Sequence, residues 1–465
     1  MSSDTGESPF TELRRVMGPK LLLLFIVGDI LGTGVYALTG QVAAEVGGAA
    51  WLPFVVAFIV AALTAFSYLE LVTKYPQAAG AALYVHKAFG LHVFTFIVAF
   101  AVMCSGITAA STASRAFASN LALGVTWTAS NTSIMLMAFA FMALVMAVNL
   151  RGVGESVKTN VVLTLVELSG LVAVILIGFF AIGGGTADLS RVVAFDTPDD
   201  KNVFVAVTTA TSLAFFAMVG FEDSVNMAEE CHEPHRIFPR IMLSGLGVAG
   251  LIYVLVSICA VALVPVGDLA ASDTPLTLVV ERGAPGLPFY KILPFVSMFA
   301  VANSALINMM MASRLLYGMA RQGVVPRQLA AVHRTNQTPW AAVLFTTALS
   351  FALIAYVSNA SESAVAVLGG TTSLLLLGVF AVINVAVLVL RRDPVERDHF
   401  RTNTVLAVLG SVASLYLVTP WAGRDGQQYE VAGLLLIVGT VLSLPVWLYH
   451  RAFGEGVEIT DRDQG

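Results

Sequence analysis

Long apolar segments separated by short polar ones run through almost the whole chain. Each has close to the roughly 20 residues that a helix needs to cross the hydrocarbon core of a bilayer. We count twelve, at about 21–44, 50–71, 92–119, 133–150, 157–183, 203–229, 241–265, 290–313, 339–358, 364–390, 403–420 and 431–450. The pattern therefore predicts an all-α membrane protein with twelve transmembrane helices.

The composition agrees with this pattern and excludes other classes of protein. Hydrophobic residues make up 57% of the 465 residues, charged residues make up 12%, and the mean hydropathy is +0.83. Soluble globular domains carry about twice that share of charge. The basic residues are scattered over the loops, so we expect no nucleic-acid partner. The partners that we expect are the lipid bilayer and a small-molecule substrate, without an obligate protein partner.

The basic residues are distributed unequally between the two sides of the predicted membrane. Nineteen of the 25 Lys and Arg residues fall on one side, five fall on the other, and Arg115 lies near the end of the third span. Cytoplasmic loops carry the excess of positive charge in membrane proteins. We therefore expect a multi-pass protein of the cytoplasmic membrane with a cytoplasmic N-terminal segment, 1–20, and a cytoplasmic tail, 451–465.

Two of the spans contain residues that interrupt a helix. The first carries Gly28, Asp29 and the triplet Gly32–Thr33–Gly34, and the sixth carries Gly220 just before two acids. Glycine disfavours helix, and backbone inside a membrane leaves the helix only where it is buried in protein or lines a wet cavity. A half-helix N-terminus offers free N–H groups to a carboxylate. These two breaks therefore predict a transporter.

The breaks lie five spans apart, which is typical of an inverted repeat of five helices each with the substrate between the broken helices. We place the first repeat at about 21–183 and the second at about 203–390. The last two spans, at about 403–450, lack such features and are predicted to be peripheral. The transporter domain as a whole is predicted to cover 21–450.

Candidate site residues follow from the breaks and from the cost of ionisable groups in a membrane. Each of these acids also has a purely structural interpretation. Asp29 could hydrogen-bond freed backbone groups or Thr39, and either acid after Gly220 could cap a half-helix. Glu167 could form a structural polar contact between spans. The substrate-binding candidates are Ile30, Gly32, Thr33, Gly34, Phe215, Phe216, Ala217, Val219, Phe221 and Glu222, and the coupling or gating candidates are Asp29, Glu167 and Asp223. No catalytic residue, metal site or cofactor is expected.

At these positions the chain resembles the amino acid-polyamine-organocation superfamily, and in particular bacterial permeases similar to the cationic amino acid transporter group. The resemblance implies a LeuT-type fold, alternating access, and an amino-acid-like substrate whose carboxylate meets the first break and whose ammonium meets the sixth span. The matching segments are Gly32–Thr33–Gly34, Phe215–Phe216–Ala217, Gly220–Phe221, Ala228–Glu229–Glu230 with Pro234, Asn303–Ser304, Ser313 to Arg321, and Asn149 to Gly152. Glu167 departs from the family, because bacterial proton-coupled members have lysine there.

The function that we expect is secondary active transport of amino acids, with proton-coupled uptake. No Walker A loop is present to use ATP directly. The coupling ion could be a proton or, less well supported, sodium. An exchanger of polyamines or cationic amino acids is an alternative, as is a channel or a non-transporting sensor on the same scaffold. An enzyme is not expected, because no nucleophile and base occur in a recognisable pair.

Overall fold

The computed structural model describes residues 18–76, 80–151, 157–197, 201–361, 363–395 and 398–453. Most of the predicted cytoplasmic ends, 1–20 and 451–465, lie outside these residues, as does Gly152. The side chains of Glu229 and Glu230 also lie outside the description.

The described chain is helical throughout. The β-type pairing in the described residues is a single isolated β-bridge between Gly47 and Phe195. Two 3₁₀ helices, Phe215–Met218 and Asp223–Glu230, follow α8. The α-helices are α1 Pro19–Ile30, α2 Thr33–Val46, α3 Trp51–Lys74, α4 Gly80–Phe89, α5 His92–Gly124, α6 Asn131–Arg151, α7 Val157–Gly183, α8 Val203–Ala214, α9 Pro234–Leu263, α10 Val266–Ala270, α11 Pro275–Gly283, α12 Phe289–Arg321, α13 Trp340–Ala360, α14 Ala364–Leu390, α15 Thr404–Val418 and α16 Gly426–Phe453.

Eleven segments of the described chain are long and apolar enough to cross a membrane, which confirms the prediction of a multi-pass helical membrane protein. Of the twelve predicted spans, the one that is too short to be counted is α15, which has 15 residues. It ends at Val418 because Pro420 disfavours helical backbone at the residue before it and has no N–H to donate.

Several helices extend beyond the apolar stretches from which they were predicted. Helix α9 begins at Pro234 rather than near 241, and α12 continues to Arg321 rather than ending near 313. Proline is favoured in the first turn of a helix, where its missing N–H costs nothing. The polar ends of these helices project past the apolar segment, so hydropathy alone places their boundaries too far inside.

Small residues bring the central helices close together. A Cβ atom added to Gly28 of α1 would overlap the hydroxyl of Thr164 on α7. A Cβ on Gly245 of α9 would lie 2.7 Å from a methyl carbon of Ile26 on α1. Such contacts are typical of membrane helices, which associate through close packing rather than through the hydrophobic effect. They leave α1 enclosed by its neighbours.

A buried ion pair joins α3 to the segment that follows α14. Arg391 donates from Nε to Glu70 Oε1 at 2.9 Å and from Nη2 to Glu70 Oε2 at 2.8 Å. The backbone N–H of Thr402 donates to the same carboxylate at 2.8 Å. The Glu70 side chain is only 2% exposed. This bidentate arrangement fixes the end of α3 to the start of the α15–α16 hairpin.

Candidate substrate site at two helix breaks

The first span is interrupted between α1 and α2. Helix α1 ends at Ile30, Gly32 has φ −48° and ψ −142°, and α2 starts at Thr33 without a side-chain cap. The first four N–H groups of a helix have no partner within it. The Thr33 hydroxyl is buried and has no hydrogen-bond partner within the described residues. The break therefore presents unused polar groups in the middle of the protein.

The sixth span is interrupted more gradually than the sequence predicted. Helix α8 ends at Ala214, a 3₁₀ turn covers Phe215–Met218, and Val219 is extended. Gly220 has a φ of +122°, which side chains other than hydrogen rarely allow. The glycine is therefore the last part of the break, and the helix has ended several residues before it.

The two breaks contact each other directly. A Cβ atom on Gly34 would overlap the backbone of Ala217, and a Cβ on Gly220 would lie 2.9 Å from the carbonyl carbon of Asp29. A Cβ on Gly32 would lie 3.1 Å from the hydroxyl oxygen of Ser304 on α12. The structure thus brings the predicted residues of the first and sixth spans to one place.

Glu222 holds the backbone of the second break. Its Oε2 atom accepts a hydrogen bond of 2.9 Å from the N–H of Gly220, and its side chain is buried. The neighbouring acid, Asp223, is half-buried. A backbone N–H group inside a protein needs a partner, and the Glu222 carboxylate provides it. The acid thus caps the break itself rather than the first turn of the following 3₁₀ helix.

A small cavity lies beside these acids. It has room for about one or two water molecules. The residues that line it are Val102, Ser105, Gly106, Val219, Glu222, Asp223, Asn308, Met311, Ala312, Leu315, Thr372 and Leu376. Polar groups from α5, α12 and α14 therefore line the same narrow cavity as the two acids.

The three predicted aromatic residues divide into two groups. Phe215 and Phe221 pack on Phe380 of α14, with ring centroids 5.9 and 5.4 Å apart. Phe216 instead contacts Leu38 of α2 and Ala109 of α5. Phe216, which belongs to the sixth span, thus packs with a residue of α2 in the first span. The other two belong to the aromatic core behind the second break.

Helix α7 contacts both halves of the broken first span. The Tyr36 hydroxyl of α2 donates to the backbone carbonyl of Glu167 at 3.1 Å, and Thr164 packs on Gly28 of α1. The Glu167 side chain is 1% exposed, and neither of its oxygens has a hydrogen-bond partner within the described part of the chain. In the described conformation this carboxylate therefore forms no hydrogen bond to the backbone of the first span.

Other residues near the breaks differ from the prediction. The Thr39 hydroxyl donates to the carbonyl of Val35 at 2.6 Å, so its proton is not available to Asp29. The Ile30 carbonyl accepts a hydrogen bond from the Tyr253 hydroxyl of α9. Asn303 was not among the candidate site residues, yet its buried amide nitrogen has no partner in the described chain. A polar residue in an apolar span was the available signal for it.

The described residues contain no group of three or more His, Cys, Asp or Glu side chains that could hold a metal ion. The chemistry at the breaks is that of backbone donors and acceptors, a free hydroxyl, an aromatic ring and buried acids. This set can bind a small zwitterion, whose two charges need an N–H cluster and a carbonyl cluster.

Comparison with known proteins assigns the class that these features suggest. The model of the amino acid permease family matches residues 19–442, and the chain belongs to this family. This confirms the resemblance to the amino acid-polyamine-organocation superfamily. The protein is thus a member of a transporter family with membrane-embedded helices.

Several curated relatives are similar over most of the chain. The branched-chain amino acid permease BcaP of Bacillus subtilis is 27% identical over 84% of this chain and 83% of its own length. The chloroplastic cationic amino acid transporter 9 of Arabidopsis thaliana is 30% identical over 72% of this chain and 59% of its own length. The methylthioribose transporter of Bacillus subtilis is 26% identical over 87% of both chains.

Proposed function

We propose that the protein is a secondary active transporter that carries amino acids across the cytoplasmic membrane by alternating access. The observation that carries this proposal is the contact between two interrupted spans, at Gly34 and Ala217. A LeuT-type arrangement of two inverted repeats, with α15 and α16 outside them, accounts for breaks in the first and sixth spans. Both chain ends are proposed to be cytoplasmic.

The substrate backbone is proposed to bind between the two breaks. Its carboxylate would accept hydrogen bonds from the N–H groups and the hydroxyl at Thr33 and Gly34, where the dipole of α2 favours negative charge. Its ammonium would donate to carbonyls freed at Phe216, Ala217 and Val219. Because Gly34 touches Ala217 in the described conformation, substrate entry requires the two breaks to separate.

A neutral amino acid with an apolar side chain is the preferred substrate class. Phe216, Leu38 and Ala109 form an apolar cluster beside the first break. The Glu222 carboxylate is already engaged by Gly220, so it offers a weaker partner to a second positive charge. The name of the similar Bacillus permease refers to branched-chain amino acids.

The alternative is a cationic amino acid or a polyamine, taken up or exchanged. Glu222 and Asp223 face a shared cavity, where a second positive charge could be neutralised. Similar Arabidopsis transporters are named for cationic amino acids. The proposal therefore predicts a measurable preference between leucine and lysine.

Proton coupling is proposed to involve Glu167. Its buried carboxylate has no hydrogen-bond partner among the described residues and lies on the helix that contacts both halves of the first span. Gain or loss of a proton there would change the contacts between α7 and the broken span, linking proton binding to substrate binding. Sodium bound at the carboxylate is the alternative coupling ion.

The test is a binding and uptake screen on purified protein in proteoliposomes. Leucine, isoleucine, valine, lysine, arginine and putrescine are compared with 4-methylpentanoate, which is leucine without its amino group. We expect saturable uptake of the neutral amino acids and no competition from 4-methylpentanoate. Equal competition by the deaminated acid would contradict the ammonium site. Non-saturable flux would indicate a channel, and binding without uptake would indicate a sensor.

A further inference from the structure

The loop between α15 and α16 contains an arginine, Arg424, whose side chain is buried in the helix bundle. The side chain of Arg424 is enclosed, and the residue is 7% exposed. Its Nε donates to the carbonyl of Leu417 at 2.5 Å, and its Nη1 donates to the carbonyl of Gly370 at 3.0 Å and to Gln428 Oε1 at 2.8 Å. Its Nη2 donates to Ser373 Oγ at 3.1 Å. All of these acceptors are neutral.

The hydrogen bonds of Arg424 continue to the second break. Ser373 Oγ, which accepts from Arg424, lies 2.6 Å from the carbonyl of Ser212 and 2.9 Å from the carbonyl of Gly370, and the shorter distance favours donation to Ser212. Ser212 is in the last turn of α8, where carbonyl groups lack their usual partners within the helix. A hydroxyl that accepts from a cation is a stronger donor, because hydrogen bonds in a chain polarise one another. Arg424 thus supports the end of α8 through Ser373.

The same loop fits closely against α8 and α14 at other points. The hydroxyl oxygens of Thr208 and Thr209 lie 3.2 and 3.0 Å from the carbonyl oxygen of Ala422, and each is also within hydrogen-bond distance of the Val205 carbonyl of α8. Gly423 has a φ of +78°, and a Cβ atom there would overlap the Thr209 hydroxyl. A Cβ on Gly370 would overlap the side chain amide of Gln428. The loop therefore packs closely against both helices through backbone contacts as well as through the arginine.

The residues held by Arg424 adjoin the residues at the candidate site. Gly370 follows Gly369, where a Cβ atom would lie 3.0 Å from Leu38 and 3.4 Å from the Phe216 ring. Ser373 follows Thr372, whose hydroxyl lies 2.7 Å from that of Thr108 on α5. One face of α14 therefore contacts the site, and the neighbouring face is bonded to Arg424.

We propose that Arg424 is a positioning residue for the substrate site, acting through Gly370 and Ser373 to hold α14 and the end of α8 in register. Burial of a cation among neutral groups is costly, and a loop that only joined two peripheral helices would need no such group. The proposal rests on the proposed function in one respect, since it takes the space beside Phe216 as the substrate site.

The experiment compares Arg424→Met and Ser373→Ala with a control on the same hairpin, Gln427→Ala. Gln427 also bonds to the bundle, donating to the carbonyl of Ala360 at 3.1 Å, and within the described residues its side chain forms no hydrogen bond to α8 or α14. Leucine uptake into proteoliposomes gives KM and the maximal rate, and hydrogen–deuterium exchange of residues 203–221 reports the order of the break without any substrate.

Loss of the charged hydrogen bonds should raise the KM for leucine about tenfold in Arg424→Met. Ser373→Ala should change it in the same direction, and Gln427→Ala should stay within about twofold of the native value. Exchange in residues 203–221 should become faster in the first two variants alone. A simple loss of folded protein would lower the maximal rate and leave KM unchanged.

An unchanged KM together with native exchange in Ser373→Ala and Arg424→Met would overturn the proposal. If Arg424→Met does not fold, Ser373→Ala carries the test, because it removes one hydroxyl and no charge. If native protein takes up no leucine, the proposed substrate is wrong, while the exchange measurement still decides whether Arg424 orders the break.

Discussion

Gly34 lies against the backbone of Ala217, and no side chain larger than hydrogen fits between them. This contact joins two spans whose helices are both interrupted, at a depth where backbone polar groups must find partners inside the protein. The contact therefore closes the space between the two breaks in the described conformation. The two breaks must separate before a substrate can bind there.

The first prediction is that Gly34→Ala abolishes leucine uptake while the protein stays folded, because the two breaks can no longer close against each other. Alanine favours helix over glycine by about 1 kcal/mol, so any loss comes from the overlap with Ala217 rather than from helix propensity. Gly378→Ala is the control, because nothing lies within 4 Å of a Cβ atom there. Uptake is measured in proteoliposomes, and undiminished uptake by Gly34→Ala would refute the assignment of this contact to the site.

The second prediction concerns Glu222. Glu222→Leu leaves the Gly220 N–H without an acceptor and should lower the free energy of unfolding by about 1 to 3 kcal/mol. Glu222→Gln keeps an acceptor oxygen and should lose less. Asp223→Asn serves as the neighbouring control, since that acid does not hold the break.

If Glu222 only caps the break, these variants keep the native ranking of leucine and lysine in competition assays. A selective loss of lysine or putrescine binding in Glu222→Gln or Asp223→Asn would instead favour the cationic alternative. Thermal unfolding and competition measured on the same samples separate the two outcomes.

The third prediction is that Glu167→Gln uncouples uptake from the proton gradient. Native protein should accumulate leucine in proteoliposomes when the outside is more acidic, and the variant should reach only the level seen without a gradient. A neutral amide of the same shape cannot gain or lose a proton at this buried position. An imposed sodium gradient is the parallel control, and proton-driven accumulation that survives unchanged would remove Glu167 from the coupling mechanism.

The fourth prediction concerns the ion pair between Glu70 and Arg391. Glu70→Gln should destabilise the protein by about 3 kcal/mol, because it leaves a largely buried guanidinium without its charged partner, although Thr402 and Thr404 still accept hydrogen bonds from it. The control is the exposed pair of Arg282 and Asp268, whose side chains are 47% and 50% exposed. Arg282→Met should change stability by less than about 1 kcal/mol. Similar losses in both variants would contradict the distinction.

The sequence predicted the existence of both breaks because glycine carries a local signal that does not depend on the rest of the fold. It located the first break well, between α1 and α2. It located the second less well, because α8 ends at Ala214 through 3₁₀ packing of Phe215–Met218, which depends on neighbours from other spans. The hydropathy pattern also predicted a span at about 403–420, whereas α15 covers Thr404–Val418.

Contacts between distant spans could not be predicted from the pattern of residues. Phe215, Phe216 and Phe221 are equivalent by hydropathy, yet Phe216 packs with Leu38 of α2 whereas the other two rings pack on Phe380 of α14. Arg424 was counted among the basic residues of the loops, and its sequence neighbourhood does not reveal that its guanidinium reaches Gly370 and Ser373. Such placement depends on tertiary packing between distant spans, and the local pattern of hydrophobic and polar residues does not reveal it.

The position of Arg424 near the end of the chain also bears on how the protein is made. Spans emerge from the ribosome in order, and the earlier segments of a chain begin to fold first. Helix α8 and its break are synthesised long before the arginine that supports them. The break must therefore persist in the membrane without that support until α15, α16 and the loop between them have been synthesised.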